Sequence, residues 1–262
     1  MPDVREIPAV QLPGGVTMPM VGFGTWPMRG HTARRAVLSA LQAGYRHVDT
    51  ATMYANEADV GAALRDSGLP RHEVFVTTKL RASEVGRERS VLSSSLRALG
   101  TDYVDLWLVH WPPSGRALVS SWQELLSLRD DGMARAVGVS NYSLAQVDQL
   151  IAATGEAPAV NQIRWSPRRH DQALLRSLRE RGVAVEGYSP LKDTNLADPV
   201  LTGIAAAHGV TPAQVVLRWH IEHEIVVIPK SADPRRIEAN LDLFGFALDP
   251  AEVARIDGLA AR

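Results

Sequence analysis

Short apolar runs that favour β-strands alternate along the chain with segments of helical period. Several of these runs are apolar almost throughout, as in Ile225-Val226-Val227-Ile228. Such runs are typical of strands in a parallel sheet, because helices cover both of its faces. The eight predicted strands are residues 20–24, 45–49, 74–79, 104–110, 136–139, 159–163, 183–188 and 225–229.

The segments between these strands carry apolar residues at helical spacing. Residues 32–43, for example, place Ala36, Val37, Ala40 and Leu41 on one face. The predicted helices are residues 32–43, 57–64, 90–99, 144–151, 172–181, 212–221 and 250–259, with further ones starting near Ser120 and after Pro234. Strands that alternate with helices predict βαβ units and a parallel sheet.

Eight such units predict an α/β fold, a (β/α)8 TIM barrel. The alternative is a doubly wound open sheet, which would favour a Gly-x-Gly-x-x-Gly turn after its first strand if it bound a dinucleotide. The first strand is followed instead by Gly24-Thr25-Trp26-Pro27-Met28, so the barrel is preferred.

The N-terminal segment, residues 4–20, predicts a β-hairpin that turns at Leu12-Pro13-Gly14-Gly15. We expect this hairpin to plug one end of the barrel. No stretch rich in Pro, Gly and Ser separates the later units, so residues 1–262 are predicted to form a single domain.

Composition narrows the functional classes. Hydrophobic residues make up 45% of the chain and the formal net charge is -1, so a sizeable core is expected and nucleic acid or a membrane surface is not an expected partner. The sequence has no cysteine, no secretory signal and no apolar run long enough to span a bilayer. It predicts a cytoplasmic protein that acts on a small molecule, and the absence of an exposed apolar edge makes a monomer the default.

Polar residues collect where the predicted strands end, and the carboxyl ends of barrel strands carry the active sites of such folds. These residues are Asp49, Lys79, His110, Ser140, Asn141, Gln162, Tyr188, Ser189, Lys230 and Ser231, with Tyr54 one short loop after Asp49. Each has a purely structural alternative: Asp49 could cap the next helix, Lys79 could be its ion-pair partner, and His110 could be a hydrogen-bonded rim residue. Several titratable groups gathered in one concave place favour a catalytic site.

Chemistry limits what that site can do. With no cysteine and no His-x-x-x-His spacing, a metal site is not expected. A phenol is a weak acid, but the ammonium of Lys79 next to Tyr54 would lower the pKa of the phenol, with Asp49 holding the ammonium and His110 contacting the substrate oxygen. This set suits protonation of the oxygen of a carbonyl group whose carbon accepts a hydride, and the hydride must come from a cofactor.

Motifs over nearly the whole chain, residues 10–259, carry a family resemblance. They are Gly44-Tyr45-Arg46-His47-Val48-Asp49-Thr50-Ala51 with Met53-Tyr54, Thr77-Thr78-Lys79-Leu80, His110-Trp111-Pro112, Gly138-Val139-Ser140-Asn141-Tyr142, Asn161-Gln162, Gly187-Tyr188-Ser189-Pro190-Leu191 and Ile228-Pro229-Lys230-Ser231 with Arg236 and Asn240. Together they resemble the aldo-keto reductase family, in particular bacterial short-loop members similar to 2,5-diketo-D-gluconate reductase-like proteins.

The resemblance implies a barrel that binds NADPH without a Rossmann domain and reduces aldehydes and ketones. It implies a catalytic tetrad of Asp49, Tyr54, Lys79 and His110, with Tyr54 as the proton donor. The implied cofactor residues are Ser140, Asn141 and Gln162 at the carboxamide, Tyr188 stacked on the nicotinamide, Ser189, Leu191 and Ile228 along the pyrophosphate and ribose path, Lys230, Ser231 and Arg236 on the 2′-phosphate, and Asn240 at the adenine. Gly24, Thr25 and Asp49 are expected to contact the cofactor as well.

The substrate is expected to meet Trp26 and Trp111 beside Tyr54 and His110. The loop after His110, residues 112–116, is short, which predicts an open pocket with broad selectivity for aldehydes and ketones. Two other functions are considered: an NADPH-binding regulatory or sensor barrel with little turnover, and a phosphate-binding barrel of another chemistry. The phosphate-binding alternative leaves the polar residues at the ends of strands five to seven unexplained.

Overall fold

A β-hairpin closes one end of the molecule, whose computed structural model describes residues 7–261. Its strands β1 (Ala9–Leu12) and β2 (Val16–Pro19) pair antiparallel. Gly14 at the turn has φ 76°, a left-handed conformation that glycine adopts without strain. Leu12, Val16 and Met18 pack against the barrel interior, which confirms the predicted plug. Residues 4–6 of the predicted hairpin lie outside the described residues.

The central sheet has eight parallel strands that pair in chain order. They are β3 (Phe23–Gly24), β4 (His47–Asp49), β5 (Phe75–Leu80), β6 (Val104–Val109), β7 (Ala134–Ser140), β8 (Val160–Arg164), β9 (Ala184–Tyr188) and β10 (Val226–Val227). A parallel bridge between Val21 and Val227 closes the sheet into a barrel. All eight predicted strands are confirmed, with ends shifted by a few residues.

Helices form the outer layer. They are α1 (Gly30–Ala43), α2 (Glu57–Asp66), α3 (Glu88–Leu99), α4 (Ala117–Asp130), α5 (Leu144–Thr154), α6 (Gln172–Glu180), α7 (Pro199–His208), α8 (Pro212–Glu222), α9 (Pro234–Leu241) and α10 (Pro250–Asp257). The fold is therefore the predicted (β/α)8 barrel, with α7 as a helix that the periodicity did not predict. Across residues 7–261 no single helix has the length and apolarity to cross a membrane; only α7 and α8 taken together, bent by 89°, meet both criteria.

The inner face of the barrel changes from apolar to polar along the strands. Alternate strand residues point inward, so Phe75, Thr77 and Lys79 follow one another up the inner face of β5. Phe75 packs with the hairpin plug, whereas Thr77 and Lys79 hydrogen-bond to inward-facing residues of β4. The carboxyl ends of the strands therefore surround a buried polar layer, and this layer positions the site.

Candidate active site

A buried ion pair lies under the centre of the barrel mouth. The ammonium Nζ of Lys79 donates to both carboxylate oxygens of Asp49 at 2.6 and 2.7 Å and to the carbonyl oxygen of Thr50 at 2.8 Å. Burial is the largest single effect and lowers the pKa of Lys79, but the Asp49 charge and hydrogen bond together with the smaller effects of Tyr54 and Glu186 outweigh it, so the pKa is raised. Asp49 does not cap the next helix, since Asn56 occupies the N-cap position of α2. The alternative of an Asp49–Lys79 ion pair is confirmed.

Tyr54 lies directly above this pair, in a 3-10 turn that follows β4. Its ring centroid is 5.1 Å from Lys79 Nζ, and its ring contacts those of Trp26 and His110 at centroid distances of 5.1 and 5.7 Å. Burial raises the pKa of Tyr54, and the opposing effect of Lys79 is smaller. The predicted lowering effect of Lys79 on this pKa is present, but desolvation of the phenolate is larger and the pKa is raised in the free protein. The phenol keeps its proton at neutral pH.

His110 completes the group at the end of β6. Burial, with smaller effects of the Lys79 and Arg81 charges, lowers its pKa to about 3, so the imidazole is neutral. Its Nδ1 is buried and has no hydrogen-bond partner among the described residues. A buried N–H without an acceptor is costly, so we infer that Nδ1 is unprotonated and that Nε2 carries the hydrogen.

These side chains open into a cleft with a volume of about 330 Å³. The sequence-predicted residues that line it are Gly24, Thr25, Trp26, Asp49, Tyr54, His110, Trp111, Asn141, Gln162, Tyr188, Ser189, Ile228 and Lys230. The structure thus brings together residues from seven of the eight strand ends.

The remaining predicted residues lie outside the lining of this cleft. Lys79 and Ser140 are buried beneath it, and Leu191 packs against the hydrophobic core. Ser231 follows β10 and is buried, whereas Arg236 and Asn240 lie on α9. Arg236 is exposed and Asn240 is buried, so the two differ in their access to any ligand.

A hydrogen-bonded chain fixes the polar wall formed by β7, β8 and β9. Tyr188 Oη donates to Asn141 Oδ1 at 2.9 Å, and Asn141 Nδ2 donates to Ser140 Oγ at 2.9 Å. Ser140 Oγ in turn donates to the carbonyl oxygen of Gln162 at 2.9 Å. These bonds hold the half-buried ring of Tyr188 against the cleft as a flat wall.

The opposite side of the cleft depends on a close backbone approach. A Cβ at Gly24 would lie 2.8 Å from the carbonyl oxygen of Ile228, so only glycine lets β3 reach the segment after β10. Thr25 is buried and its hydroxyl donates to the carbonyl oxygen of Asp49 at 2.9 Å. Gly24 and Thr25 therefore help to close the barrel at the point where they line the cleft.

Sequence reasoning missed several residues of the site. Met53, Arg164, Pro190 and Lys192 also line the cleft. Glu186 is fully buried on the inner face of β9, below the cleft, and accepts a hydrogen bond from Gln162. An acid inside the apolar stretch Ala184-Val185-Glu186 was a readable signal. Within residues 7–261, no group of three or more His, Cys, Asp or Glu could hold a metal ion.

The fold and these side chains define an oxidoreductase that acts on carbonyl or alcohol groups. A phenol and a neutral imidazole face one open cleft, with a buried ammonium behind the phenol. The sequence comparison agrees with this class, since the model of the Aldo/keto reductase family matches residues 20–261. The chain belongs to the aldo-keto reductase family.

Named relatives cover almost the full length of the chain. It is 44% identical over 269 residues to the morphine 6-dehydrogenase of Pseudomonas putida, covering 96% of this chain and 91% of that one. The crystal structure of an aldo/keto reductase from Brucella melitensis superposes with a TM-score of 0.94 at 41% identity, covering 97% of this chain and 98% of that one. A Bombyx mori aldo-keto reductase in complex with NADP superposes with a TM-score of 0.91 at 34% identity, covering 97% and 93%.

The cleft has the chemical groups that a nicotinamide dinucleotide requires. Tyr188 offers a flat surface for the ring, and Asn141 and Gln162 offer amide groups beside it. Farther along, Lys230 and Lys192 place two ammonium groups on the lining, where phosphate oxygens need cations. The donor set therefore fits this cofactor.

Proposed function

We propose that this protein reduces the carbonyl groups of small aldehydes and ketones to alcohols, with NADPH as its cofactor and Tyr54 as the proton donor. The observation that carries the proposal is the Asp49–Lys79 pair buried directly under a protonated phenol at the mouth of the cleft. Family membership supports the reaction class and the cofactor.

NADPH, when bound, supplies the hydride for the substrate carbon. Tyr54 donates its proton to the carbonyl oxygen as negative charge develops there. Lys79 then stabilises the phenolate that remains, because its ammonium is kept charged and oriented by Asp49. A positioned general acid of this kind contributes about 10²- to 10⁴-fold to the rate.

His110 acts in this proposal as a neutral hydrogen-bond donor. Its Nε2–H would contact the substrate oxygen next to the Tyr54 hydroxyl, and so hold the carbonyl in line. A neutral imidazole polarises the carbonyl without competing to deliver a full proton. Tyr54 alone therefore transfers the proton.

We assign the cofactor to the wall formed by β7, β8 and β9 and to the segment after β10. Ser140, Asn141 and Gln162 would hold the carboxamide end, with Ser140 acting from beneath, and Tyr188 would stack on the ring. Gly24, Thr25, Ser189, Leu191 and Ile228 would border the path to Lys230, Ser231 and Arg236 at the 2′-phosphate, and Asn240 would meet the adenine. A cluster of ammonium, hydroxyl and guanidinium groups suits a phosphomonoester.

The substrate side is open and apolar. Trp26 and Trp111 are 49% and 50% exposed although both line the cleft, and Met53 lies beside them. Only residues 111–116 separate His110 from α4, so no long loop from this side covers the mouth. We propose broad selectivity that includes bulky ring ketones, in keeping with the similarity to a morphine 6-dehydrogenase.

The test is a panel of aldehydes, diketones, keto sugars and ring ketones, assayed as NADPH oxidation at 340 nm. We expect turnover of several of them, and a loss of about 10³-fold in Tyr54→Phe with NADPH binding retained. Tight NADPH binding without turnover across the panel would favour the regulatory or sensor barrel instead. Turnover of a single substrate would reject broad selectivity but leave the reaction class intact.

The single-domain organisation of residues 1–262, the monomeric state, the cytoplasmic location and the closer likeness to 2,5-diketo-D-gluconate reductase-like proteins stay predictions. Size-exclusion chromatography with light scattering at several protein concentrations tests the first two together, since one compact monomer has one mass and one elution volume. A mass that rises with concentration would reject the monomer.

A further inference from the structure

Glu186 contacts the site from inside the barrel, although it does not line the cleft. Its Oε2 accepts a hydrogen bond from Gln162 Nε2 at 2.7 Å, and the same nitrogen donates to Asp49 Oδ2 at 2.8 Å. All three side chains are buried; Asp49 and Gln162 line the cleft, whereas Glu186 lies below it. One amide nitrogen therefore bridges the catalytic aspartate and a second acid.

This bridge fixes the orientation of the Gln162 amide. Asp49 is ionised against Lys79 and can only accept hydrogen bonds, so the amide nitrogen must face it. The second hydrogen of that nitrogen is taken by Glu186. With both hydrogens used below the cleft floor, the atom that Gln162 has left to offer a ligand is its oxygen Oε1, an acceptor.

The surroundings of Glu186 explain how a second acid is tolerated there. The charged or titratable groups that face it are His47 and Asp49 from β4 and Lys79 from β5, with the polar Gln162 from β8. Burial raises the pKa of Glu186 to about 8, and the Asp49 charge adds to the rise, so the group is neutral at pH 7. A neutral acid accepts the hydrogen bond from Gln162 without disturbing the Asp49–Lys79 charge balance.

His47 lies beside the second carboxyl oxygen of Glu186. Its Nδ1 lies 3.3 Å from the carbonyl oxygen of Pro19, which can only accept, so Nδ1 carries the hydrogen. Its Nε2 is then an acceptor for the Thr77 hydroxyl at 3.2 Å. Glu186 Oε1 lies 3.6 Å from this nitrogen and makes no hydrogen bond among the described residues, so Gln162 is the hydrogen-bond partner that fixes the Glu186 carboxyl group.

We propose that Glu186 is a positioning residue for the cofactor: it holds the Gln162 amide so that Oε1 accepts a hydrogen bond from the carboxamide NH₂ of the nicotinamide. The inference rests on the proposed function, because it concerns the same cleft and the same cofactor. An apolar residue at position 186 would fill the space at a lower desolvation cost, but it would leave one amide hydrogen of Gln162 without an acceptor.

The experiment compares Glu186→Leu with Glu186→Gln, whose side-chain oxygen still accepts from Gln162. The readout is the Kd of NADPH, measured by quenching of protein fluorescence. The same Kd is measured for the 3-acetylpyridine analogue of NADPH, in which a methyl group replaces the carboxamide NH₂. We expect Glu186→Leu to weaken NADPH about tenfold and Glu186→Gln by less than twofold. The analogue should bind the parent protein and Glu186→Leu equally.

Three results would overturn the inference. Equal weakening of NADPH and of the analogue in Glu186→Leu would mean a general structural role, and unchanged NADPH binding would mean no role. Less than twofold discrimination between the two cofactors by the parent protein would reject the contact even if Glu186→Leu does not fold. If the parent protein binds no NADPH, the proposed function itself fails, and that outcome is distinct from all three.

Discussion

At the scale of single residues, the sequence predicted which groups meet but not how burial sets their protonation. Asp49, Tyr54, Lys79 and His110 lie together because consecutive strand ends face one mouth. The net effect on Tyr54 depends on how much of its ring is desolvated, which no spacing reveals, and here burial outweighs the ammonium. The sequence did not predict Glu186 as a site residue because it lies within a strand, whereas the polar residues that indicate a barrel site lie at the strand ends.

The protonation of His110 makes a prediction for catalysis. Its pKa is depressed to about 3, so the imidazole is neutral from pH 5 to pH 7.5, whereas an exposed histidine with a pKa near 6.5 would change charge in that range. We expect kcat/KM for aldehyde reduction, which reports on the free enzyme, to vary by less than about twofold between these pH values. The measurement is a pH profile at saturating NADPH.

The control for this prediction is His110→Gln, which keeps a neutral donor without an ionisable group. It should lose activity, but its pH profile should have the same flat shape. A step centred near pH 6 in the parent protein that disappears in His110→Gln would show that His110 titrates during turnover, and the neutral-donor role would be wrong.

At the scale of elements, the hydrophobic period predicted the barrel strands and most helices. It did not predict the exact ends of these elements, nor helix α7. Both α7 and α8 lie between β9 and β10, whereas a repeating βα unit predicts one helix there. Signals for α7 were present: Asp198 caps it, Pro199 opens it, and Gly209 ends it in a left-handed conformation. The capping residues identify helices that the repeating unit alone does not predict.

Two helical glycines make matched predictions for packing. A Cβ at Gly61 in α2 would lie 2.5 Å from the carbonyl oxygen of Leu99 at the end of α3, whereas a Cβ at Gly203 in α7 would have nothing within 4 Å. Alanine favours a helix interior by about 1 kcal/mol over glycine. We expect Gly203→Ala to raise the free energy of unfolding by about 0.5–1 kcal/mol. Gly61→Ala should lower it by about 1–3 kcal/mol, because overpacking separates α2 from α3.

Urea unfolding of the two variants and the parent protein, followed by circular dichroism, measures both differences under one condition. Gly203→Ala reports the helix propensity alone, so the gap between the variants isolates the cost of the contact with α3. If Gly61→Ala is as stable as Gly203→Ala, the helices do not depend on this close approach.

At the scale of the whole molecule, the barrel encloses ionisable groups that an unfolded chain would expose to water. Burial lowers the pKa of His47 and His110 to about 3 and that of His220 to about 4, and it raises that of Glu186 to about 8. The sequence predicted the barrel but not which ionisable groups lie inside it. Whether a strand residue points inward or outward depends on the register of its strand. A net charge of -1 gives no hint of it.

These groups predict a stability maximum near neutral pH. The histidines have folded pKa values below their unfolded value, so the stability they contribute is present above pH 6.5 and lost as the pH falls. Glu186 has a folded pKa above its unfolded value of 4.5, so its contribution is present below that pH and lost as the pH rises to about 8. Each proton that is bound in one state and not in the other changes the free energy of unfolding by about 1.4 kcal/mol per pH unit. Between pH 4.5 and 6 the three histidines outweigh Glu186 and also Glu57, whose pKa is raised by burial, so stability rises with pH. Above pH 7 the effect of Glu186 dominates and stability falls.

Urea unfolding at half-unit steps from pH 5 to pH 9 measures this curve, and Glu186→Gln separates its two limbs. The variant has no ionisable group at position 186, so we expect it to keep the acid limb and to lose the decline between pH 7 and 8.5. A parent protein whose stability rises steadily through pH 8.5 would mean that Glu186 is ionised in the folded barrel. The same decline in Glu186→Gln would assign it to another group. Because the acid limb depends on the histidines and the alkaline limb on Glu186, each limb tests a different part of the buried polar layer.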